Sequence, residues 1–334
     1  MDIVKNRNTL QHLIKNNRIS QDNIERSVEL AGMTFQRDNF FIFLRLVLLW
    51  IGALSLIIAL MMFMALNWDE LGKFAKFLMV ELSMILSVVI YYFSDKYQQL
   101  QKILLMVASI SLGIFLALIG QTYQTGADPW QLFAFWALLM TPWAVMAKSS
   151  SLWILWIVLI NLASILYYQK FDLSFGAFFE MHTHLLELLF VINATLWMVW
   201  HYLGSRYAHF KDALCVRLLA FMTLGTISTL AMYAIIYAIY EEINLGMLHF
   251  LFYVVTLTVM YYFYRIRHID IYMMSLFTLS LFFFILNIVI RLISFDFPDN
   301  IVIIVLFLLA LIGGLTTVIV SWIKKLKKEQ HANT

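Results

Sequence analysis

Long apolar runs recur along the chain from Arg45 onward, with short polar segments between them. An α-helix needs about 20 apolar residues to cross the hydrocarbon core of a bilayer. Backbone groups in that core must be hydrogen-bonded within the segment, so each run is predicted to be a transmembrane helix. The predicted helices are 45–66, 74–93, 102–119, 130–147, 151–168, 183–203, 216–240, 244–264, 271–293 and 300–322. The pattern predicts an all-α, polytopic helical membrane protein with about ten transmembrane helices.

The segments before and after these runs are polar. Residues 1–43 contain two short stretches with apolar residues at helical spacing, which predicts a short helical hairpin. We expect this hairpin in the cytoplasm, followed by a transmembrane bundle at 44–323. Lysines near the C-terminus predict a basic cytoplasmic tail at 324–334, which anionic lipids would hold at the membrane surface.

Composition excludes several classes of protein. Of the 334 residues, 63% are hydrophobic and 13% are charged, whereas soluble domains contain roughly 45–50% apolar and 25% charged residues. Mean hydropathy is +0.83. These values exclude a soluble enzyme, a disordered protein and a nucleic-acid-binding domain. The single cysteine, Cys215, allows no intrachain disulfide and no multi-cysteine metal site.

Lysines and arginines are divided unevenly between the two sides of the predicted bundle. Of the 23 in the chain, nineteen fall in segments on the side of the termini. The other four are Lys73, Lys76, Lys170 and Arg291. Cytoplasmic loops of membrane proteins carry an excess of Lys and Arg. Both termini are therefore predicted to be cytoplasmic.

Ionisable residues within the predicted helices are the first candidates for function, because charge at membrane depth is costly. Glu81, Glu187, His249 and Arg291 all fall in the outer halves of their helices. This asymmetry predicts a polar cavity open to the outer face. Two interpretations of Glu81 and Arg291 stay open. In the first, Glu81 binds a cation or a proton, or it pairs with Arg291 to gate the cavity. In the second, Glu81 and Arg291 form an ion pair that holds helices together.

The segment HTHLLE at 182–187 contains metal-binding residue types. Glu180, His184 and Glu187 follow at spacings of four and three, which places them on one face of a helix. Carboxylate and imidazole groups suit zinc or iron. No fourth ligand is apparent, so solvated side chains are the preferred interpretation. We therefore expect no metal and no cofactor.

The connection between the third and fourth predicted helices is unusually polar for a short turn. Asp128 and Pro129 predict a helix start, with Asp128 as the cap and Pro129 in the first turn. Gln121, Gln124 and Asp128 could line the mouth of the outer cavity, or the segment is a well-capped turn. On the helix before it, Ser109, Gly113, Ala117 and Gly120 form a face of small residues that predicts close helix packing.

The string GQTYQTGADPWQLFAFWALLMTPWA at 120–144, the polar N-terminal hairpin and the series of apolar helices resemble a family. It is the family of bacterial membrane proteins known as domain of unknown function 2157, and the resemblance is expected to cover the whole chain. The motif residues are Gly120, Gln121, Tyr123, Gln124, Thr125, Gly126, Ala127, Asp128, Pro129, Gln131, Leu132 and Phe133. The resemblance implies a bacterial inner-membrane location, a second membrane protein as partner, and no particular chemistry.

Three functions are consistent with the sequence. The first is a secondary transporter or permease for a small polar solute or ion through the outer cavity. The second is a non-catalytic subunit or assembly factor of an envelope complex, and the third is a membrane-embedded enzyme acting on a lipid-linked or periplasmic substrate. The chain has no Walker A loop, dinucleotide-binding fingerprint, HExxH helix or GxSxG elbow, so no catalytic residue is assigned.

Overall fold

The computed structural model describes residues 10, 13–14, 18–20, 23–30, 37–171, 184–207, 210, 213–237, 243–267, 269–296 and 301–332; the side chains at 291–308 are among those not described. Within these ranges the chain forms eleven helices and no strand. The helices are α1 (Ile24–Leu30), α2 (Arg37–Leu66), α3 (Lys73–Phe93), α4 (Gln98–Tyr123), α5 (Pro129–Ala147), α6 (Ser150–Phe171), α7 (His184–Arg206), α8 (Ala213–Tyr237), α9 (Ile243–Tyr261), α10 (Ile271–Asp296) and α11 (Ile301–Ala332). A π-helical segment, Tyr262–Arg267, continues α9.

The predicted membrane helices are confirmed for nine of these elements. Nine described helices, α2 to α10, are long and apolar enough to cross a membrane. The tenth prediction, 300–322, coincides with α11, of which the first eight side chains are not described. Helix α2 begins at Arg37, well before the predicted start of its apolar run. Helix α11 continues through the basic residues 324–328, so this part of the predicted tail is helical.

The helices pack around two central members. Helix α4 contacts α2, α3, α5 and α6, and α8 contacts α6, α7, α9 and α10. Both α4 and α8 have nearly half of their apolar stretch buried, whereas α2 has only 6% of it buried. Helix α6 touches both central helices. The buried core around α8 includes Leu152, Ile157, Leu219 and Met274.

Hydroxyl groups cross-link the helices around α8. The Ser228 and Ser280 hydroxyls lie 2.8 Å apart, and the Tyr253 hydroxyl lies 3.1 Å from that of Ser280. The three residues come from α8, α10 and α9 and are buried. Polar side chains that hydrogen-bond across helices favour association where lipid offers no hydrophobic drive. This contact fixes the relative positions of the three helices that follow α7.

The small face of α4 accepts an aromatic ring rather than a second backbone. A Cβ placed on Gly113 would lie 2.4 Å from the indole ring of Trp136 on α5. The same indole donates through Nε1 to the Ser109 carbonyl oxygen at 2.7 Å. Close packing through Gly113 is therefore present as predicted. The group that it admits is the Trp136 ring.

We expect Gly113→Ala to destabilise the protein, because its methyl group overlaps the Trp136 ring and overpacking costs about 1–3 kcal/mol. Gly120→Ala is the matched control, since no atom lies within 4 Å of the added Cβ on the same helix. Thermal unfolding of the detergent-solubilised protein measures both. Equal stability of the two variants would contradict the packing described for Gly113.

Candidate functional site

Three ionisable side chains meet where α7 begins. The Glu187 Oε1 atom lies 2.7 Å from Nε2 of His249, and its Oε2 atom lies 3.5 Å from Nδ1 of His184. Exposed fractions are 5% for the His184 side chain, 8% for His249 and 23% for Glu187. Helix α7 contributes His184 and Glu187 one turn apart, and α9 contributes His249. We refer to His184, Glu187 and His249 as the histidine–glutamate cluster.

Helix α7 carries further polar groups from this cluster towards its other end. Asn193, Trp197 and His201 follow one another at spacings of four, and Glu187 lies six residues before Asn193. At about 100° per residue all four fall within roughly a third of the circumference of α7, and we refer to these four as the polar stripe. The stripe spans about 21 Å along the helix axis, at 1.5 Å per residue. This is most of the roughly 30 Å hydrocarbon thickness of a bilayer. Polar groups of one helix face therefore extend across most of the membrane.

Each member of the polar stripe contacts a group on another helix. Asn193 and Asn161 of α6 exchange two hydrogen bonds between their amides, at 2.7 and 3.1 Å. Each amide nitrogen also donates to the carbonyl oxygen four residues earlier on its own helix. Asn193 is 1% exposed. Both amides are thus hydrogen-bonded in surroundings that contain no bulk water.

Aromatic rings lie between these polar levels. One turn further along α7 and α9 than the histidine–glutamate cluster, the rings of Phe190 and Phe252 lie 6.2 Å apart. Beyond the asparagines, Trp197 donates through Nε1 to the Tyr264 hydroxyl at 3.2 Å. The His201 ring lies 5.2 Å from the ring of Phe263 and 6.0 Å from that of Tyr264. The stripe consequently alternates between polar pairs and aromatic contacts.

A cavity of about 940 Å³ lies at the end of α7 opposite the cluster. It is enclosed by α7, α8, the π-helical segment and the start of α10, and we call it the basic-end cavity. Trp197, Trp200, Phe263 and Tyr264 line its wall. The lining is therefore mainly apolar and rich in aromatic rings, and Trp197 and His201 of the polar stripe line the cavity.

The rim of the basic-end cavity is charged. A nitrogen of the Arg217 guanidinium lies 3.3 Å from Oδ2 of Asp270, and the guanidinium sits 4.9 Å from the centre of the Tyr272 ring. Asp270 also accepts the backbone N–H groups of Tyr272 and Met273 at 2.9 and 3.2 Å, which caps α10. Arg267 lies on the rim as well. The cavity therefore combines apolar walls with cationic donors at its mouth.

The polar turn between α4 and α5 makes an ion pair of its own with the end of α6. Helix α4 extends to Tyr123, so Gln121 is helical and exposed, and exposed Gln124 takes the left-handed conformation that ends the helix. Pro129 occupies the first turn of α5 as predicted. Asp128 stands at the cap position, yet its side chain makes no capping hydrogen bond. Its carboxylate pairs instead with Lys170 at 2.9 Å, at the end of α6, which corrects the predicted capping role.

The remaining predicted residues are distributed as follows. Glu81 is half-buried on α3, a helix that packs against α4, and its carboxylate has no hydrogen bond or ion pair within the described part of the chain. Arg291 lies on α10, but its side chain is outside the described residues, so its pairing with Glu81 stays a prediction. Glu180 also lies outside the described ranges.

The metal interpretation gains no support from the cluster geometry. Among the described residues, no group of three or more His, Cys, Asp and Glu side chains is arranged to hold a metal ion. The short contact between Glu187 and His249 joins their hydrogen-bonding atoms directly to each other. Glu187 and His249 therefore form a hydrogen-bonded pair between α7 and α9.

Several components of the site lay beyond sequence reasoning. The basic-end cavity, the Arg217–Asp270 pair and the hydrogen bond from Trp197 to Tyr264 join residues that are 53 to 67 positions apart. The signal available in the sequence was the helical spacing of Glu187, Asn193, Trp197 and His201. A search for charged, amide and indole side chains together along one helix would have identified these four residues.

The fold is that of a polytopic helical membrane protein. Residues 11–153 match the model of a family described as "Predicted membrane protein (DUF2157)". The family resemblance is confirmed for this segment. The match covers less than half of the chain, short of the expected full length, and ends near the start of α6, before the polar stripe. Neither a curated protein nor a solved structure matches the chain.

We expect Asn193→Leu to destabilise the protein by about 1–2 kcal/mol, because it leaves the Asn161 amide without its partner in apolar surroundings. The double variant Asn161→Leu/Asn193→Leu should recover part of this loss, since neither polar group then remains. A double-mutant cycle on thermal unfolding in detergent measures the coupling. Simple additivity of the two single effects would contradict the reciprocal pairing.

Proposed function

We propose that the protein is a secondary transporter that couples movement of a small polar solute or ion to protons. The observation that carries the proposal is the polar stripe of α7, which has the histidine–glutamate cluster at one end and the basic-end cavity at the other. Ionisable residues at membrane depth are costly, and chains of acidic and histidine side chains form proton relays in pumps and transporters. Glu187 is the proposed proton-binding carboxylate, and His184 and His249 are its partners.

The aromatic contacts supply the barrier that such a transporter needs. In the conformation described, Phe190 and Phe252 separate the cluster from the asparagine pair, and Trp197 and Tyr264 separate that pair from the basic-end cavity. A continuous open path would dissipate the gradient that drives a secondary transporter. Alternating access through relative movement of helices around a central site avoids such a leak. Asn161 and Asn193 lie between the two barriers and are the proposed solute contacts.

Glu81, Arg291, Gln121, Gln124 and Asp128 remain candidates for an outer mouth of the path. The half-buried carboxylate of Glu81 is the second proton-binding candidate, because no partner neutralises it among the described residues. Gln121 and Gln124 are exposed beside the Asp128–Lys170 pair. By the alternation of the helices, these residues fall in the half of the bundle in which α7 begins, which supports a mouth on that side.

We expect Glu187→Gln to abolish solute-dependent proton movement in proteoliposomes, because the neutral amide cannot take up or release the proton. Purified protein is reconstituted with an internal pH-sensitive dye, and amino acids, carboxylates and sugars are added in turn from outside. Glu70→Gln is the matched control, since it makes the same substitution at an exposed carboxylate in the turn before α3, away from the stripe and from the candidate residues. It should retain the flux of the unmodified protein.

Three outcomes would replace this proposal. Loss of flux in Glu81→Gln, with Glu187→Gln still active, would move the proton site to α3. Absence of solute-dependent flux, together with a stoichiometric membrane protein that co-purifies with the chain, would favour the subunit of an envelope complex. Turnover of a lipid-linked substrate that depends on Glu81 or Glu187 would favour the enzyme.

We further propose a bacterial inner-membrane location with both termini in the cytoplasm, and the terminal segments 1–43 and 324–334 on that side. The excess of basic residues on one side supports this orientation. Labelling of single cysteines in a Cys215→Ala background tests it in intact cells. An impermeant thiol reagent should modify Glu70→Cys and leave Lys96→Cys unmodified, since both positions are exposed in loops at opposite ends. The reverse pattern would invert the orientation.

A further inference from the structure

We infer that the basic-end cavity binds an anionic phospholipid, with the headgroup phosphate between Arg217 and Arg267 and an acyl chain against the aromatic wall. This inference concerns a different end of the bundle from the proton site and does not depend on transport. It rests on three features of the cavity: its size and lining, the unused donors at its mouth, and the direction in which it opens.

The size and lining of the cavity fit an amphiphile. Ligand pockets measure about 300–1,000 Å³ and are predominantly apolar with a few fixed polar groups, and this cavity has a volume of about 940 Å³. Its wall is formed by Trp197, Trp200, Phe210 and Tyr264. A fully hydrated anion would gain nothing from contact with these rings. A molecule that combines an apolar chain with an anionic group uses both the wall and the rim.

The mouth has cationic donors that the described residues do not satisfy. Arg217 lines the cavity and uses its Nη2 atom for Asp270. Within the described parts of the chain, its Nη1 atom has no hydrogen-bond acceptor, so this donor is available to a ligand. Asp270 contacts Arg217 through one oxygen at 3.3 Å, while its other oxygen accepts two backbone N–H groups of α10. Asp270 therefore cannot occupy the remaining guanidinium donors.

Arg267 supplies the second positive charge. It ends the π-helical segment, lies on the cavity rim and has only the Phe263 ring, 6.0 Å away, as a neighbour among the contacts described for it. Single π-helical turns occur frequently at functional sites. Two guanidinium groups against one carboxylate leave a net positive rim. Guanidinium donors match the geometry of phosphate oxygens and bind them through charge-assisted hydrogen bonds.

The cavity opens towards the lipid-facing surface. Met198 and Tyr202 stand at its edge and are 61% and 56% exposed. Apolar side chains with this exposure on a transmembrane helix face acyl chains. Basic pockets between transmembrane helices bind the headgroups of anionic lipids. The lateral opening favours a phosphate carried by a lipid over a phosphate that arrives from water.

The test is lipid binding to the purified full-length protein in detergent, followed by native mass spectrometry. Phosphatidylglycerol is compared with phosphatidylcholine of the same chains and with soluble glycerol phosphate. We expect phosphatidylglycerol to bind most tightly, and Arg267→Gln to weaken it about tenfold through loss of a charge-assisted contact. Arg206→Gln is the control, because it removes an equal charge at the end of α7 and Arg206 itself does not line the cavity.

A second variant tests the cavity without changing Arg267, so that the result does not depend on whether Arg267→Gln folds. Ala213 lines the cavity at the start of α8, so Ala213→Phe should fill the space and lower phosphatidylglycerol binding without changing any charge. Glu187→Gln should leave lipid binding unchanged, which separates this result from the transport assay.

Three results would overturn the inference. Equal binding of phosphatidylcholine and phosphatidylglycerol would exclude recognition of the anionic headgroup. Equal weakening by Arg267→Gln and Arg206→Gln, or no effect of Ala213→Phe, would exclude the cavity as the site. Binding of glycerol phosphate as tight as that of phosphatidylglycerol would assign the donors to a soluble phosphate and not to a lipid.

Discussion

The hydrogen-bonding requirement of polar groups in hydrocarbon governs this structure. Backbone groups meet it within the helices, and hydroxyl groups such as that of Thr223 meet it by donating to the carbonyl oxygen one turn earlier. Longer polar side chains cannot do so fully on their own helix. Asn161 and Asn193 use each other, and Glu187 uses His249. Polar residues at membrane depth therefore determine which helix faces must meet, and they fix α6, α7 and α9 relative to one another.

The two central helices contact their neighbours in different ways. Helix α4 uses a small residue, Gly113, to accept the Trp136 ring, and α8 uses the Ser228 hydroxyl to bind its neighbours. The family match covers the part that surrounds α4 and ends where α6 begins. The polar stripe and the basic-end cavity lie in the part that surrounds α8. The portion of the chain that can be related to known proteins is thus not the portion that carries most of the candidate chemistry.

The polar stripe presents different kinds of side chain at its two ends. A hydrogen-bonded carboxylate and two imidazoles stand at one end, a pair of amides in the interior and an aromatic, cationic cavity at the other. These groups are the proposed sites for a proton, a polar solute and an anionic lipid, in that order along α7. Aromatic contacts separate the levels. An arrangement of this kind needs movement to connect its ends, and the π-helical segment between α9 and α10 is a local departure from regular geometry at that end.

The sequence by itself located the nine membrane helices found among the described residues, because bilayer thickness sets the length of each run of consecutive apolar residues. It did not give every helix end, since α2 begins at Arg37 and α11 continues to Ala332. It also predicted that Glu187 and His249 would matter, since charge at membrane depth needs a reason. It could not assign their partners. Glu187 meets His249 across 62 positions, Asp128 meets Lys170 instead of capping α5, and Arg217 meets Asp270 around a cavity. These pairings depend on which helices become neighbours and how each is rotated, and only the tertiary packing of the bundle decides that.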